Sequence, residues 1–216
     1  MHSVSTIDEE LGTRAGARGS RAQESTVHHP LWITSILFTL VTAVLFGLVY
    51  PLLLAGIAHF LFPRQAAGSL VTGKDGTVIG SRLIAQSFTS DRYFHPRPSA
   101  AGNGYDATSS GGTNLAQSNA KLPQRMQPDI DKLAAENPST PVPIDAVTYS
   151  ASGLDPDITP DNAYFQAPRI AKARGLTEDA LRKLIEDHIQ ERTLGFIGEP
   201  RVNVLELNLA LDQAAH

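Results

Sequence analysis

Between Leu31 and Phe62 the chain carries no Asp, Glu, Lys or Arg. The run reads LWITSILFTLVTAVLFGLVYPLLLAGIAHFLF. About 20 apolar residues suffice for a helix to cross a bilayer, so this stretch predicts one transmembrane helix over residues 31–62 with its ends in the headgroup zone. Trp32 near one end and Phe60 and Phe62 near the other suit that zone, where aromatic rings sit half wet. A secretory leader has an apolar core of about 7 to 15 residues, far shorter than this run. Ala55-Gly56-Ile57-Ala58 resembles a cleavage site only loosely. A buried core helix would need a folded domain around it, and only a short polar stretch precedes it. One span cannot build a pore, so the chain is expected to be an anchored domain or one subunit of a membrane assembly.

The flanks narrow the choice. Residues 1–30 hold Arg14, Arg18 and Arg21 against Asp8, Glu9, Glu10 and Glu24, are rich in Gly, Ser, Thr and Ala, and predict a disordered tail. The whole chain has 18 Lys/Arg and 22 Asp/Glu. Residues 63–216, one domain by length, are close to neutral and show no basic patch, which argues against nucleic acid. Without Cys there is no disulfide, thiolate metal site or Cys nucleophile. Arg14, Arg18 and Arg21 precede the span, while Arg64, Lys74 and Arg82 follow it. The positive-inside bias is therefore nearly balanced and leans only slightly to a cytoplasmic tail.

The pattern over 63–216 predicts an α+β domain with a small sheet, anchored by one N-terminal transmembrane helix. Residues 69–72 and 77–80 read as two strands around Asp75-Gly76, a strong hairpin signal. Leu122, Met126, Ile130 and Leu133 have helical spacing over 119–137, with Pro123 and Pro128 as breaks or kinks. Residues 144–149 read as a strand and 150–157 as a turn-rich link. Thr159-Pro160 opens a helix that Gly175 ends, and Thr177-Glu178-Asp179 opens another. Residues 201–206 read as a strand and 207–211 as a short closing helix.

Chemistry is sparse. There is no G-x-S-x-G, H-E-x-x-H or G-x-x-x-x-G-K-[ST] motif. His95 and His188 lack metal-ligand spacing, and no metal site or catalytic residue is expected. Asp155 and Asp157 flank Pro156 and are expected to set negative charge ahead of the helix at Thr159. Ser110-Gly111-Gly112 is either a plain turn or an anion cradle of backbone N–H groups. The loop 91–118 interleaves Arg92, Tyr93, Phe94, His95, Arg97 and Tyr105 with Gly, Ser and Pro. A loop this long is usually functional or disordered, and its aromatics and arginines favour a binding surface. Within the span, Ala43 and Gly47 place two small residues on one face, where another helix can approach, and Gly47 with Pro51 marks a weak point.

Several motifs, in order, resemble the KdpC family, the C subunits of the Kdp potassium-transporting P-type ATPases. They are GLVYPL at 47–52, FPRQAAGSL at 62–70, GSRLIAQSF at 80–88, YFHPRPSA at 93–100 and SGGTNL at 110–115. SASGLDPDI follows at 150–158, QAPRIA at 166–171 and GEPRVNVLELN at 198–208. The resemblance implies an accessory, non-catalytic, single-pass subunit of the bacterial inner membrane, needed for assembly and activity. Its implied partners are a potassium-binding channel-like subunit, an ATP-hydrolysing P-type subunit and, in some complexes, a small membrane peptide. The complex handles ATP and K⁺, and the chain has no cofactor of its own. Two roles are implied. As a catalytic chaperone raising ATP affinity, it would offer Gln166, or the turns Ser110-Gly111-Gly112 and Ser152-Gly153, to nucleotide. Alternatively its domain lies in the periplasm over the ion entrance and acts on ATP only allosterically. Interface candidates are Ala43, Gly47 and Pro51 in the membrane, and Tyr93, Arg97, Asn114 and Asp155 outside it. The rival readings are a membrane-anchored enzyme or a ligand sensor with its site in the 91–118 loop.

Overall fold

In the computed structural model, residues 30–73 and 75–214 are described. The tail expected over residues 1–30 lies, apart from Pro30, outside them. The chain divides into two compact units, one ending at Leu52 and the other beginning at Leu53.

The apolar run forms one helix, Leu31–Leu61, long and apolar enough to cross a membrane. Its segments are α1 (Leu31–Val44), a π turn (Leu45–Val49) and α2 (Tyr50–Leu61). Ser35 and Thr42 donate their hydroxyls to the backbone carbonyls of Leu31 and Phe38, both at 2.8 Å, so these polar groups need no water. Pro51 cannot donate to the carbonyl four residues back. The π turn just before it, where Tyr50 N–H reaches Leu45 O, absorbs that break.

The second unit holds a short helix α3 (Pro63–Ala66), the hairpin β1 (Leu70–Thr72) and β2 (Val78–Ser81), α4 (Lys121–Glu136) and α5 (Ile144–Val147). Then come β3 (Asp157–Ile158), α6 (Pro160–Arg174), α7 (Glu178–His188), β4 (Ile189–Gln190), β5 (Arg201–Asn203) and α8 (Val204–Ala214). Both sheets are antiparallel: β1-β2, and β3-β5-β4 with β5 central. Helices α6, α7 and α8 bury Ala163, Ala167, Ile170, Leu181, Ile185, Leu207 and Leu211 against Ile158 and Val202 of the second sheet.

The helix ends follow their local chemistry. Thr159 and Thr177 accept the N–H groups of Asn162 and Ala180, and Gly175 closes α6 at φ 69°. Three expectations fail. Residues 144–147 form a helical turn rather than a strand, because Asp145 turns inward to Thr159 and Asn162. The link at 150–157 ends in a strand, β3, whose register depends on β5 far along the chain. The strand expected over 201–206 stops at Asn203, whose Oδ1 accepts Glu206 N–H at 3.2 Å and so starts α8 early.

Candidate functional site

Loop 91–118 is fastened by side-chain amides from two helices. Phe94 is fully buried in the core. Its N–H donates to Asn208 Oδ1 at 2.8 Å, and Asn208 Nδ2 donates to its carbonyl at 2.9 Å. Gln166 does the same for His95, accepting its N–H at 2.8 Å and donating Nε2 to its carbonyl at 3.1 Å. Gln166 Nε2 also donates to Asn162 Oδ1, and its Oε1 accepts from Arg169 Nη2. The amide's two donors and two lone pairs are thus all occupied within the chain. Arg169 also donates to the carbonyls of Asp91 and Tyr93 and pairs with Glu136 at 2.9 Å.

A second fastening lies further along the loop. Arg97 Nη1 pairs with Asp155 at 3.0 Å, while its other nitrogens donate to Thr148 and to the Tyr149 carbonyl. Ser99 donates its hydroxyl to Gly153 O at 2.6 Å and accepts the N–H groups of Ala101 and Tyr105. Tyr105 donates to Arg97 O, and burial pushes its phenol up to about 12. The turns 110–112 and 152–153 meet directly: Gly111 N–H and the Ser110 hydroxyl both donate to Ser152 O. A Cβ on Gly153, whose φ is 66°, would sit 2.6 Å from Gly111 O, and one on Gly112 would sit 2.9 Å from Ala151 O. These glycines permit backbone to pack on backbone.

Gln166 faces instead a cleft of about 410 Å³, with Phe88, His95, Tyr105, Tyr149 and Phe165 among its walls. None of Ser110, Gly111, Gly112, Ser152 and Gly153 lines it. The residues proposed from sequence as nucleotide contacts therefore form two separate groups. Burial, then the charge of Arg169, lowers the pKa of His95, so the ring is neutral at pH 7. Its Nε2 lies 3.0 Å from Ser90 O, a contact that fits the Nε2–H tautomer and leaves that nitrogen engaged. Among the described residues no group of three or more His, Cys, Asp or Glu could hold a metal ion.

Of the interface candidates, Tyr93, Arg97 and Asp155 are engaged within the chain. Tyr93 donates to Asp212 at 3.1 Å beneath the Arg174 guanidinium, which lies 4.7 Å from its ring centre. Asp155 holds Arg97 and the Asp157 N–H, and Asp157 holds Arg201 and Asn203, so neither is a free charge before α6. Asn114 is exposed, at φ 52°. Ala43, Gly47 and Pro51 lie on the exposed apolar helix, with Gly47 inside the π turn. The sequence reading missed Asn208, Asn162, Arg169 and Asp145. An Asn amid the apolar positions of α8 was the available signal, since buried polar groups need partners. It also missed the turn at Leu194–Ile197, where Leu194 and Phe196 are 79% and 72% exposed. That turn is closed by reciprocal hydrogen bonds between Thr193 and Ile197, with Leu194 at φ 56°.

The family of K⁺-transporting ATPase c chains, KdpC, matches residues 32–213. The chain belongs to the KdpC family. A KdpC subunit of a potassium-transporting ATPase from Koribacter versatilis is 56% identical over 180 residues, covering 83% of this chain and 93% of its own length. One from Acidobacterium capsulatum is 58% identical over 181 residues, covering 83% of this chain and 96% of its own. One from Methylobacterium nodulans is 54% identical over 198 residues, at 86% and 96%. The KdpC match takes in both the apolar helix and the α+β domain. The chain is thus a subunit of a potassium-transporting ATPase, a membership that implies partner subunits.

Proposed function

We propose that this KdpC chain is an accessory, non-catalytic subunit, needed for assembly and activity of an ATP-driven potassium uptake complex. Its partners are the channel-like potassium-binding subunit and the ATP-hydrolysing P-type subunit. The observation that carries this reading is the inward turn of the candidate polar residues. Gln166, Ser110, Arg97 and Tyr93 all bond the chain's own groups. That arrangement supports a rigid recognition scaffold rather than a nucleotide or substrate site, since loops held on a scaffold commonly carry recognition. The domain lies on the periplasmic side of the inner membrane, and any rise in ATP affinity reaches the hydrolysing subunit allosterically.

The test has two arms. Deleting the chain should abolish ATP-driven K⁺ uptake while leaving the hydrolysing subunit in the membrane; uptake at the normal rate would remove the accessory reading. Protease added to intact spheroplasts should degrade the domain, and full protection would place it with cytoplasmic ATP. In that case a photoreactive ATP analogue labelling Gln166 or the Ser110–Gly112 turn would favour direct chaperoning.

A further inference from the structure

The exposed apolar surface does not stop where the long helix stops. Leu61 and Phe62 are 59% and 55% exposed, and beyond them Leu70, Val78, Ile79 and Leu83 are 53%, 58%, 44% and 60% exposed. All four belong to the β1-β2 hairpin or the turn after it. A soluble domain gains by burying such side chains.

The backbone holds this hairpin close to the helix end. Phe62 N–H still bonds Ala58 O, continuing the helical ladder by one residue. The chain then folds back on itself: Ala67 N–H reaches Pro63 O, and Ser69 N–H reaches Arg64 O at 2.9 Å. The start of β1 is therefore one hydrogen bond from a residue three positions beyond Leu61. At no more than ~3.6 Å per residue, Ser69 lies within roughly 15 Å of the helix terminus. The return strand is tied to the same place: Ser81 Oγ donates to Gly68 O at 2.7 Å and Arg82 N–H to Ser69 O at 3.2 Å. The headgroup zone beyond the hydrocarbon is about 5–8 Å deep on each side. The base of the hairpin, at Ser69 and Ser81, is thereby held within reach of that zone, and the hairpin's uncovered side chains match it. Exposed Arg64 between them suits a phosphate layer.

We propose that the β1-β2 hairpin, with Phe62 and Leu83, lies in the headgroup–acyl boundary of the bilayer and fixes the height of the domain over the membrane. The occupant of this apolar flank is lipid, as for other interfacial segments. The inference rests on Leu31–Leu61 spanning the bilayer and is independent of which side the domain occupies.

The chain has no cysteine, so single-cysteine variants can carry a spin label in the full chain, assembled with cysteine-free partner subunits in lipid nanodiscs. Labels go at Val78→Cys and Leu83→Cys, at Leu45→Cys within the span, and at Lys183→Cys, whose side chain is 75% exposed on α7. The Val78 and Leu83 labels should be severalfold more accessible to dissolved oxygen than to a water-soluble nickel chelate, and the Lys183 label should show the reverse. Nickel accessibility at Val78 and Leu83 equal to that at Lys183 overturns the proposal, since the hairpin is then in water. Protection from both reagents also overturns it and assigns the flank to a partner subunit. A Leu45 label open to the nickel chelate removes the spanning helix itself, a failure distinct from either.

Discussion

The amide of Asn208 takes both backbone polar groups of Phe94, the N–H at 2.8 Å and the carbonyl at 2.9 Å, 114 residues apart in sequence. Asn208 is 2% exposed. Asn208→Ala leaves a buried N–H and a buried carbonyl without partners, at about 1–3 kcal/mol each. The expected loss of stability is about 2–6 kcal/mol for the two groups together, read as a fall of several degrees in the thermal midpoint. A midpoint within one degree of the parent would show that water replaces the amide there.

Asp145 gathers Thr159 N–H at 2.8 Å, the Thr159 hydroxyl at 3.1 Å and Asn162 Nδ2 at 3.1 Å. It thereby holds the N-terminus of α6 and keeps residues 144–147 helical. Asp145→Ala should cost about 3 kcal/mol and lower the denaturant midpoint. Thr159→Ala, which removes the cap but not the carboxylate, should cost about 1 kcal/mol.

His95 sets a pH dependence. Its folded pKa lies below 6.5, so between these two values the unfolded chain binds more protons than the folded one. Its contribution is fully present above pH 6.5 and shrinks as the pH falls towards the folded value. His95→Gln should flatten the stability profile below pH 6.5. An unchanged slope between pH 6.5 and 5 would assign the acid sensitivity to other groups.

At the turn beyond β4, Leu194 combines a left-handed backbone with 79% exposure. Glycine adopts that conformation without penalty, so Leu194→Gly should leave domain stability equal or raise it by roughly 0.5–1 kcal/mol. If the turn contacts a partner subunit, Leu194→Gly with Phe196→Ser should lower co-purification with the complex without lowering the thermal midpoint. Full recovery of the complex would leave the turn facing solvent.

A Cβ on Gly47 meets nothing within 4 Å. Gly47→Leu therefore tests the neighbouring helix rather than the chain itself. Membrane insertion should be unaffected and assembly weakened, measured by the yield of intact complex after detergent extraction. An undiminished yield would turn that face to lipid.

What was legible in the sequence was what neighbours in sequence decide. Thr159, Thr177 and Gly175 act within four residues of themselves, and the apolar run states its own length. Ile144–Val147 was misread because a short apolar stretch carries no clear period, and its helical turn depends on Asp145 reaching Thr159. Val204 was misread because β-branched residues suit strands, while the cap at Asn203 outweighs that preference. Gln166 stood out within its motif, but its partner, 71 residues away, emerges only in the folded chain. The hairpin was readable, but the exposure of Val78 and Ile79 was not, because an apolar residue in a strand is by default assigned to a core.

The clasp on Phe94 also dictates an order of events during synthesis. The loop emerges early, whereas the residue that closes on it lies in the last helix. Until α8 has left the ribosome, the Phe94 ring and its peptide have no seat. The newly made segment must wait as an open chain beside the bilayer, so a ribosome stalled before Asn208 should leave a protease-sensitive product even with the anchor fully inserted.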